Sequence, residues 1–558
     1  MTAARPNVPV APNVLVIMTD EERYPPPYEA QPLADFRRTQ LPARERLRAR
    51  SLELHRHYAG STACLPSRAT LFTGHYPSLH GVTDTDGMAK RATDPDMHWL
   101  DPSSVPTMGD WFRAGGYRTH YRGKWHVSHA DLLIPGTDER LATNDAEGVI
   151  DERAVDSYRR ADRLDPFGFS GWIGREPHGA AKSDSGMIKD RVYAEQVTQL
   201  FTALVDARDD GPWLTVASFV NPHDIAFTGW AWENILGYPG PDGTVPDIAA
   251  APSQSDSFAG RPTAHAEFRD LWPKMLYDQP ADNAYRRLYH YLIKLVDVAI
   301  LRILDALDAS GMADDTIIVF TSDHGDLLGA HGGMLQKWHN AYDEATRVPF
   351  LVSGPLVDTQ QDGIGVATSH VDVIPTLLGL AGIDVEAATA EVARAHVETQ
   401  PLPGRDLSAL LTGAVTPEAV DAPIYFMTED EVSRGLRTTN RFTGEAFTPV
   451  GEPAKVESVI APLPTGADGA SELWKLNHYY DRLDDWRAEH GYVANPFAAP
   501  AAEEQWELHN LTVDPEERDN RAGTPDSGPT FRRLQSVLEA ERETKRLVPL
   551  HRNPATGL

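Results

Sequence analysis

The only cysteine of the 558-residue chain lies in Cys64-Leu65-Pro66-Ser67-Arg68-Ala69-Thr70-Leu71-Phe72-Thr73-Gly74. Pro66 sets a turn, Arg68 puts a permanent cation one helical turn beyond Cys64, and Gly74 can close the helix. A sulfur, or a derivative of it, at a helix start beside a guanidinium is a place where an anion is welcome. Cys and Arg taken alone favour a plainer reading, a core thiol beside a surface Arg.

Three further polar clusters each follow a short apolar run: Asp20-Glu21-Glu22 after Val14–Met18, Asn221-Pro222-His223-Asp224 after Leu214–Val220, and Asp323-His324-Gly325-Asp326 after Thr316–Phe320. Continuous apolar runs of this length predict buried strands of a parallel sheet rather than half-exposed ones. Ligands of open α/β sheets gather at the carboxyl ends of the strands, so the clusters are expected to converge. Two carboxylates at the ends of separate strands could, by themselves, equally be helix caps or salt-bridge partners.

The elements that must position these residues are readable in part. Leu288, Leu292, Leu295, Ala299, Ile303 and Ala306 recur at helical spacing, with Gly311 where a C-terminal cap belongs. A second helix is predicted from about Val105 to Gly115-Gly116, ahead of a short strand reaching Gly123. From Pro222 to Ala281 the chain is rich in Pro, Gly, Asp and aromatics with weak periodicity, the pattern of a segment that walls a pocket. The region from Leu133 to Lys189 is the other place where specificity is expected. Phe167, Phe169, Trp172, Trp230 and Trp232 are read as packing. After about residue 430, short segments such as Leu473–Leu476 and Trp506–Leu511 alternate with polar turns, and an Arg/Glu-rich helix is predicted at about 530–546. The expected fold is α/β, a large mixed and mostly parallel sheet flanked by helices, as a catalytic domain over 10–430 with a smaller α+β subdomain over 431–558.

Composition sets outer limits. With 41% hydrophobic and 24% charged residues the chain can build a sizeable core. A formal charge of −29 argues against nucleic acid and anionic membranes as partners, and obliges any anionic substrate to find a local basic pocket. A single cysteine excludes an internal disulfide framework. Met1–Pro12 has one Arg and no long apolar run, and Val14–Met18 is too short for a membrane span; the location expected is cytoplasmic.

The Cys64–Gly74 segment resembles the C-x-P-S-R-x-x-L-x-T-G signature of the formylglycine-dependent sulfatases of the alkaline-phosphatase superfamily, with all seven fixed positions filled. Other segments resemble that family in its order. These are the Asp20 cluster, Gly123-Lys124-Trp125-His126, Asn221-Pro222-His223, Asp323-His324-Gly325-Asp326, and Lys337 ahead of Tyr342-Asp343-Glu344 and Arg347-Val348-Pro349. Val371-Asp372 with Pro375-Thr376, and Trp506–Leu511 with Asp514-Pro515, extend the likeness to roughly Asn13–Asn520.

The resemblance implies an alkaline-phosphatase-like fold and oxidation of Cys64 to formylglycine by a separate formylglycine-generating enzyme. It implies one divalent cation held by Asp20, Asp323 and residue 64, with Glu21 and His324 as further ligand candidates. Calcium suits such a carboxylate-rich oxygen site, with magnesium or manganese as alternatives. By resemblance, one hydroxyl of the hydrated aldehyde attacks sulfur, and the other loses a proton as sulfate leaves and the aldehyde is restored. Arg68 and Lys124 would hold residue 64 and the sulfate oxygens. His126 would be the base for the hemiacetal proton, and His223 and Lys337 would serve the leaving oxygen. Of the 21 His, His55, His57, His75 and His80 are read as surface or hydrogen-bonded residues.

Two departures bear on the substrate. Glu21 follows Asp20 where many family members have paired aspartates. Asp323-His324 stands where many arylsulfatases have Asp-Asn, which resembles the branch of choline sulfatases and phosphonate monoester hydrolases. The expected activity is hydrolysis of small anionic alkyl or aryl sulfate esters. The alternative is phosphonate monoester or phosphodiester hydrolysis at the same site. A catalytically inactive binding protein is disfavoured, since none of Cys64, Arg68, Lys124, His126, His223, Asp323 and Lys337 is missing. A homo-oligomer would be ordinary for this resemblance.

Overall fold

The computed structural model describes residues 11–177, 181–207, 211–229, 231–359, 363–480 and 502–550. Residues 1–10, read above for a leader, and Trp230 lie outside them.

Strands β1 (Asn13–Asp20), β2 (Leu52–Tyr58), β3 (Arg118–Gly123), β4 (Trp213–Pro222), β5 (Thr316–Ser322), β6 (Arg347–Val348), β7 (Phe350–Ser353) and β8 (Ile364–Ser369) form one mixed sheet. Its order is β3-β4-β1-β5-β7-β2-β6, with β8 beside β2. The three apolar runs are the neighbouring strands β4, β1 and β5, all parallel, with Met18 opposite both Ser218 and Thr321. β7 runs antiparallel to β5 and to β2. Alternation along β1 explains why its run is unbroken. Val14, Val16 and Met18 enter the core shared with Leu65, Phe72, Met108 and Trp111. Leu15 and Ile17 enter the opposite core with Tyr193, Val197, Ile300 and Ile303.

The helix foreseen around Leu288–Ala306 spans Asn283–Ala309, started by the Asp282 carboxylate accepting from Tyr285 N at 2.9 Å. The Met108–Ala114 helix begins with a Thr107/Asp110 capping box and leads into β3. Within 222–281 the structure has a helix, Thr263–Met275, that weak periodicity did not reveal. It carries Pro273 in its last turn and buries Phe268, Leu271, Trp272 and Met275 at helical spacing, so the stripe is present and the proline inside it argues against a helix. Phe167, Phe169 and Trp172 pack in the main core, and Trp232 packs in a second one.

A second sheet, antiparallel in the order β12-β11-β10-β9, joins β9 (Ile424–Thr428), β10 (Lys455–Leu463), β11 (Glu472–Tyr480) and β12 (Gln505–Asn510). The Gly528–Lys545 helix sets Leu534 and Leu538 against Val459, Leu476 and Leu508 of that sheet. This sheet starts at Ile424, ahead of the expected division at 430–431. Among the described residues no single helix is long and apolar enough to cross a membrane.

Candidate active site

The parallel register delivers Asp20 and Asp323 to the same edge of the sheet, because Thr19 pairs with Ser322 and Asp323 N donates to Thr19 O. The chain then turns sharply. Glu21 takes a left-handed conformation (φ 73°), costly for a residue with a side chain, and its backbone is held on both sides. Its N–H donates to Asp323 Oδ1 at 3.0 Å, and its carbonyl accepts from Tyr289 OH at 2.7 Å.

The Cys64–Thr73 helix is buried at every position and closes on Gly74 in the left-handed region (φ 70°). Ser67 Oγ donates to Asp323 O at 2.5 Å, anchoring the helix to the strand end. Arg68, fully buried, uses its planar fork to join four groups. Nε donates to Asp323 Oδ2 (2.8 Å), Nη2 to Asp20 Oδ2 (2.9 Å), and Nη1 to Lys124 O (2.8 Å) and Ser218 Oγ (3.0 Å). Lys124 Nζ lies 2.6 Å from Asp20 Oδ2. Burial works against the Asp20 charge, but Lys124 and Arg68 outweigh it and hold the carboxyl well below the usual carboxylate range. Asp323 goes the other way, pushed up to about 7 by burial and by the charge of Asp20.

Cys64 Sγ sits at the centre of this ring, 3.1 Å from His324 Nε2, 3.4 Å from Lys337 Nζ and 3.7 Å from Asp20 Oδ1. Burial, then the Asp20 charge, pushes the thiol up to about 12, so the sulfur stays protonated within this shell. Lys337 also donates to Glu21 Oε2 at 2.9 Å. Its burial is outweighed by the neighbouring carboxylates of Glu21 and Asp20, which keep it an ammonium. His324 is lowered to about 3 by burial and Lys337, so its imidazole is neutral. His223 presents a ring nitrogen within 4.8 Å of ligand atoms of Asp20 and Glu21.

Asp20, Cys64, Asp323 and His324 offer ligand atoms that all lie within 4.8 Å of one another, and Asp20, Glu21 and His223 do the same. Oxygen ligands around a calcium ion with bonds of about 2.3–2.6 Å span distances of that order. The chemistry of the set also fits. Two carboxylates repel at one point, His324 is neutral, and Glu21 Oε1 is buried with no hydrogen-bond partner among the described residues. A hard divalent cation would offset that repulsion and take up the spare oxygen.

Cys64, Lys124, His126, His223 and Lys337 line one cavity of about 520 Å³. The structure therefore brings every site residue singled out in the sequence to one place, with His126 standing apart from the Arg68 network. His126 Nε2 instead meets Asp86 Oδ1 at 2.9 Å. Burial, then Lys124 and Arg68, hold this imidazole well below its ordinary value. Sequence reasoning missed Asp86, whose only signal is an acidic turn, Asp84-Thr85-Asp86-Gly87. It also missed Glu176, which accepts from the N–H groups of Trp125 (3.1 Å) and His126 (2.9 Å) through Oε1. That clamp supports the left-handed backbone at His126 (φ 49°). Glu176 itself is pushed up to about 7 by burial and Asp131.

The sequence profile of the Sulfatase family matches residues 12–383. The chain belongs to the sulfatase family. This sulfatase is 29% identical over 385 residues to the choline-sulfatase of Rhizobium meliloti, covering 67% of this chain and 68% of that one. It is 24% identical over 413 residues to the ulvan-active sulfatase of Formosa agariphila, covering 74% and 69%. The solved phosphonate monoester hydrolase of Agrobacterium radiobacter shares its fold, with a TM-score of 0.57 and 20% identity over 96% of each chain. Membership makes the sulfatase a sulfuric ester hydrolase by class, and Cys64 with its neighbours occupies the matched region.

Proposed function

We propose that this sulfatase hydrolyses alkyl or aryl sulfate esters at residue 64, after oxidation of Cys64 to formylglycine by a formylglycine-generating enzyme, with calcium held by Asp20, Glu21, Asp323 and His324. The observation that carries the reading is the ring of Asp20, His324 and Lys337 around Cys64 Sγ, with Arg68 tying both aspartates together. The oxidised side chain, hydrated, supplies the oxygen nucleophile and a second hydroxyl for release of sulfate. The cation supplies charge compensation for the sulfate oxygens.

The chain's own groups do the rest. Arg68 fixes the side chains of the two carboxylates at the ends of neighbouring strands, so the site is preorganised before substrate arrives. Lys124 and Lys337 bring two ammonium groups to the cavity wall, where they can meet an anionic ester. Lys337, 3.4 Å from the reacting position, can give a proton to the departing alkoxide, assisted by His223. A carboxylate can only accept a hydrogen bond, so Asp86 fixes the His126 proton on Nε2 and leaves Nδ1 as the basic nitrogen. His126 thereby serves as the acceptor for the proton lost when sulfate is released.

The Asp323-His324 pair and the fold shared with a phosphonate monoester hydrolase support a second reading, the same machinery acting on phosphonate monoesters. Measuring kcat/KM for 4-nitrophenyl sulfate against the matched phenylphosphonate ester, with Cys64→Ala as blank, decides between them. Preference for the sulfate is expected. A large preference for the phosphonate overturns the substrate, and turnover unchanged in Cys64→Ala overturns the mechanism.

A further inference from the structure

The cavity at Cys64 is more than a seat for one sulfate group. Seven Lys and Arg line it against three carboxylates, in a molecule whose formal charge is −29. All three carboxylates are engaged. Asp86 meets His126, Asp131 meets Arg140 at 3.3 Å, and Glu176 accepts backbone N–H groups. Lys90 and Arg437 are likewise tied, to Asp84 at 2.9 Å and to Asp94. Arg91 and Arg441 differ: among the described residues no carboxylate forms an ion pair with either, and the Arg441 guanidinium lies over the Phe442 ring at 4.7 Å.

Part of the lining that Arg441 shares with Cys64 is apolar. Phe227, Trp272, Met275, Leu276, Val432 and Phe447 contribute to it, all belonging to or packed against a single core cluster. Trp272 stacks on Trp338 with ring centroids 5.6 Å apart, which fixes this wall. Such a wall desolvates an alkyl or aryl group and offers a hydroxyl-rich one little to bond with. The lining cations, seven against three carboxylates, repel a cationic alcohol. A cavity of this volume admits more than a methyl or ethyl ester.

We infer that the substrates of this site are sulfate esters of apolar alcohols that carry a second anionic group, with the guanidinium of Arg441 receiving that distal anion. This rests on the reading of residue 64 as the sulfate end and deepens it. The two ends of the substrate would then be read by different means. The sulfate meets the buried ring around Cys64, and the carboxylate or second sulfate meets an exposed arginine of the same cavity.

The test is calorimetric titration of the intact protein, in calcium buffer, with three unreactive sulfonates: hexane-1-sulfonate, 6-sulfohexanoate and 3-(trimethylammonio)propane-1-sulfonate. The sulfohexanoate is expected to bind about 5- to 10-fold more tightly than hexanesulfonate, and the cationic sulfonate most weakly, as charge-assisted pairing to arginine implies. Arg441→Gln is expected to shrink the advantage of the carboxylate to about twofold or less. Equal affinities for the first two ligands, tightest binding of the cationic one, or an advantage that survives Arg441→Gln would each overturn the inference. Turnover of 4-nitrophenyl sulfate by the same preparation reports separately. Its absence with the ligand order intact sinks the hydrolytic reading alone, and its presence with the order lost sinks the distal-anion reading alone.

Discussion

Asp86 Oδ1 lies 2.9 Å from His126 Nε2, forming a carboxylate–imidazole pair at the wall of the reaction cavity, 40 residues apart in the chain. The pair sets the tautomer of a histidine whose backbone is itself held in the left-handed region by Glu176. Asp86→Asn is expected to cut kcat by roughly 10- to 100-fold while KM and melting temperature stay close to the parent, since a positioned acid–base group contributes about 10²–10⁴ in rate. Asp86→Glu should recover part of the loss. A variant that loses KM and stability together would show a merely structural role.

Arg68 stands or falls by its planar fork. Arg68→Lys keeps the charge but cannot reach Asp20, Asp323, Lys124 O and Ser218 Oγ together. Loss of about 3–5 kcal/mol of stability is expected, the cost of breaking a buried pair, along with activity near the detection limit. Chemical denaturation checks it, and a variant within 1 kcal/mol of the parent, on the scale of an exposed pair, would contradict the network's importance.

Calcium should stabilise the protein through the carboxylates at the strand ends. At a concentration about 100-fold above its dissociation constant, it is expected to add ~2.7 kcal/mol relative to chelator-treated protein. Asp323→Asn should abolish that increment. Thermal melts with calcium and with EDTA measure both, and an equal increment in the variant would place the ion elsewhere.

The C-terminal helix is docked by a carboxylate. Glu457 on β10 accepts from His478 Nδ1 (2.8 Å), Tyr425 OH (2.9 Å) and Arg542 Nε (3.0 Å). Burial raises its pKa, but the bonds from His478 and Arg542 prevail and bring it down from 4.5 to about 2. A depressed carboxylate stabilises fully above its unfolded value, so this contribution, on the order of 3 kcal/mol, is present above pH 4.5 and is lost as pH falls toward 2. The melting temperature of the parent should therefore fall more steeply between pH 5 and pH 3, roughly, than that of Glu457→Gln. Parallel curves would remove Glu457 from the account.

Legibility in the sequence followed the range of the forces involved. β1, β4 and β5 could be read because each is buried on both faces and so carries an unbroken apolar run. Asp20, His223 and Asp323 followed from them, each lying at or just past a strand end. Cys64, Arg68, Lys124, His126 and Lys337 were legible as a linear pattern. Contacts that join distant segments left no spacing to find. Glu21 N to Asp323 spans 302 residues and Asp86 to His126 spans 40, and neither is governed by a period. The Thr263–Met275 helix was hidden for a local reason, since Pro273 falls inside it although Phe268, Leu271, Trp272 and Met275 keep helical spacing. β9 was missed because the change in composition comes after the strand that begins the second sheet.

Cys64 is 2% exposed, on a helix with no exposed residue, and Arg68 behind it is bonded to two strand ends. A maturation enzyme that must seize this segment as a free peptide has no access to it once those bonds close. Under the proposed chemistry, the oxidation state of residue 64 is therefore a record of the chain's birth. The fraction of competent molecules is set while the polypeptide is still opening into space, and no later treatment of the finished fold can raise it.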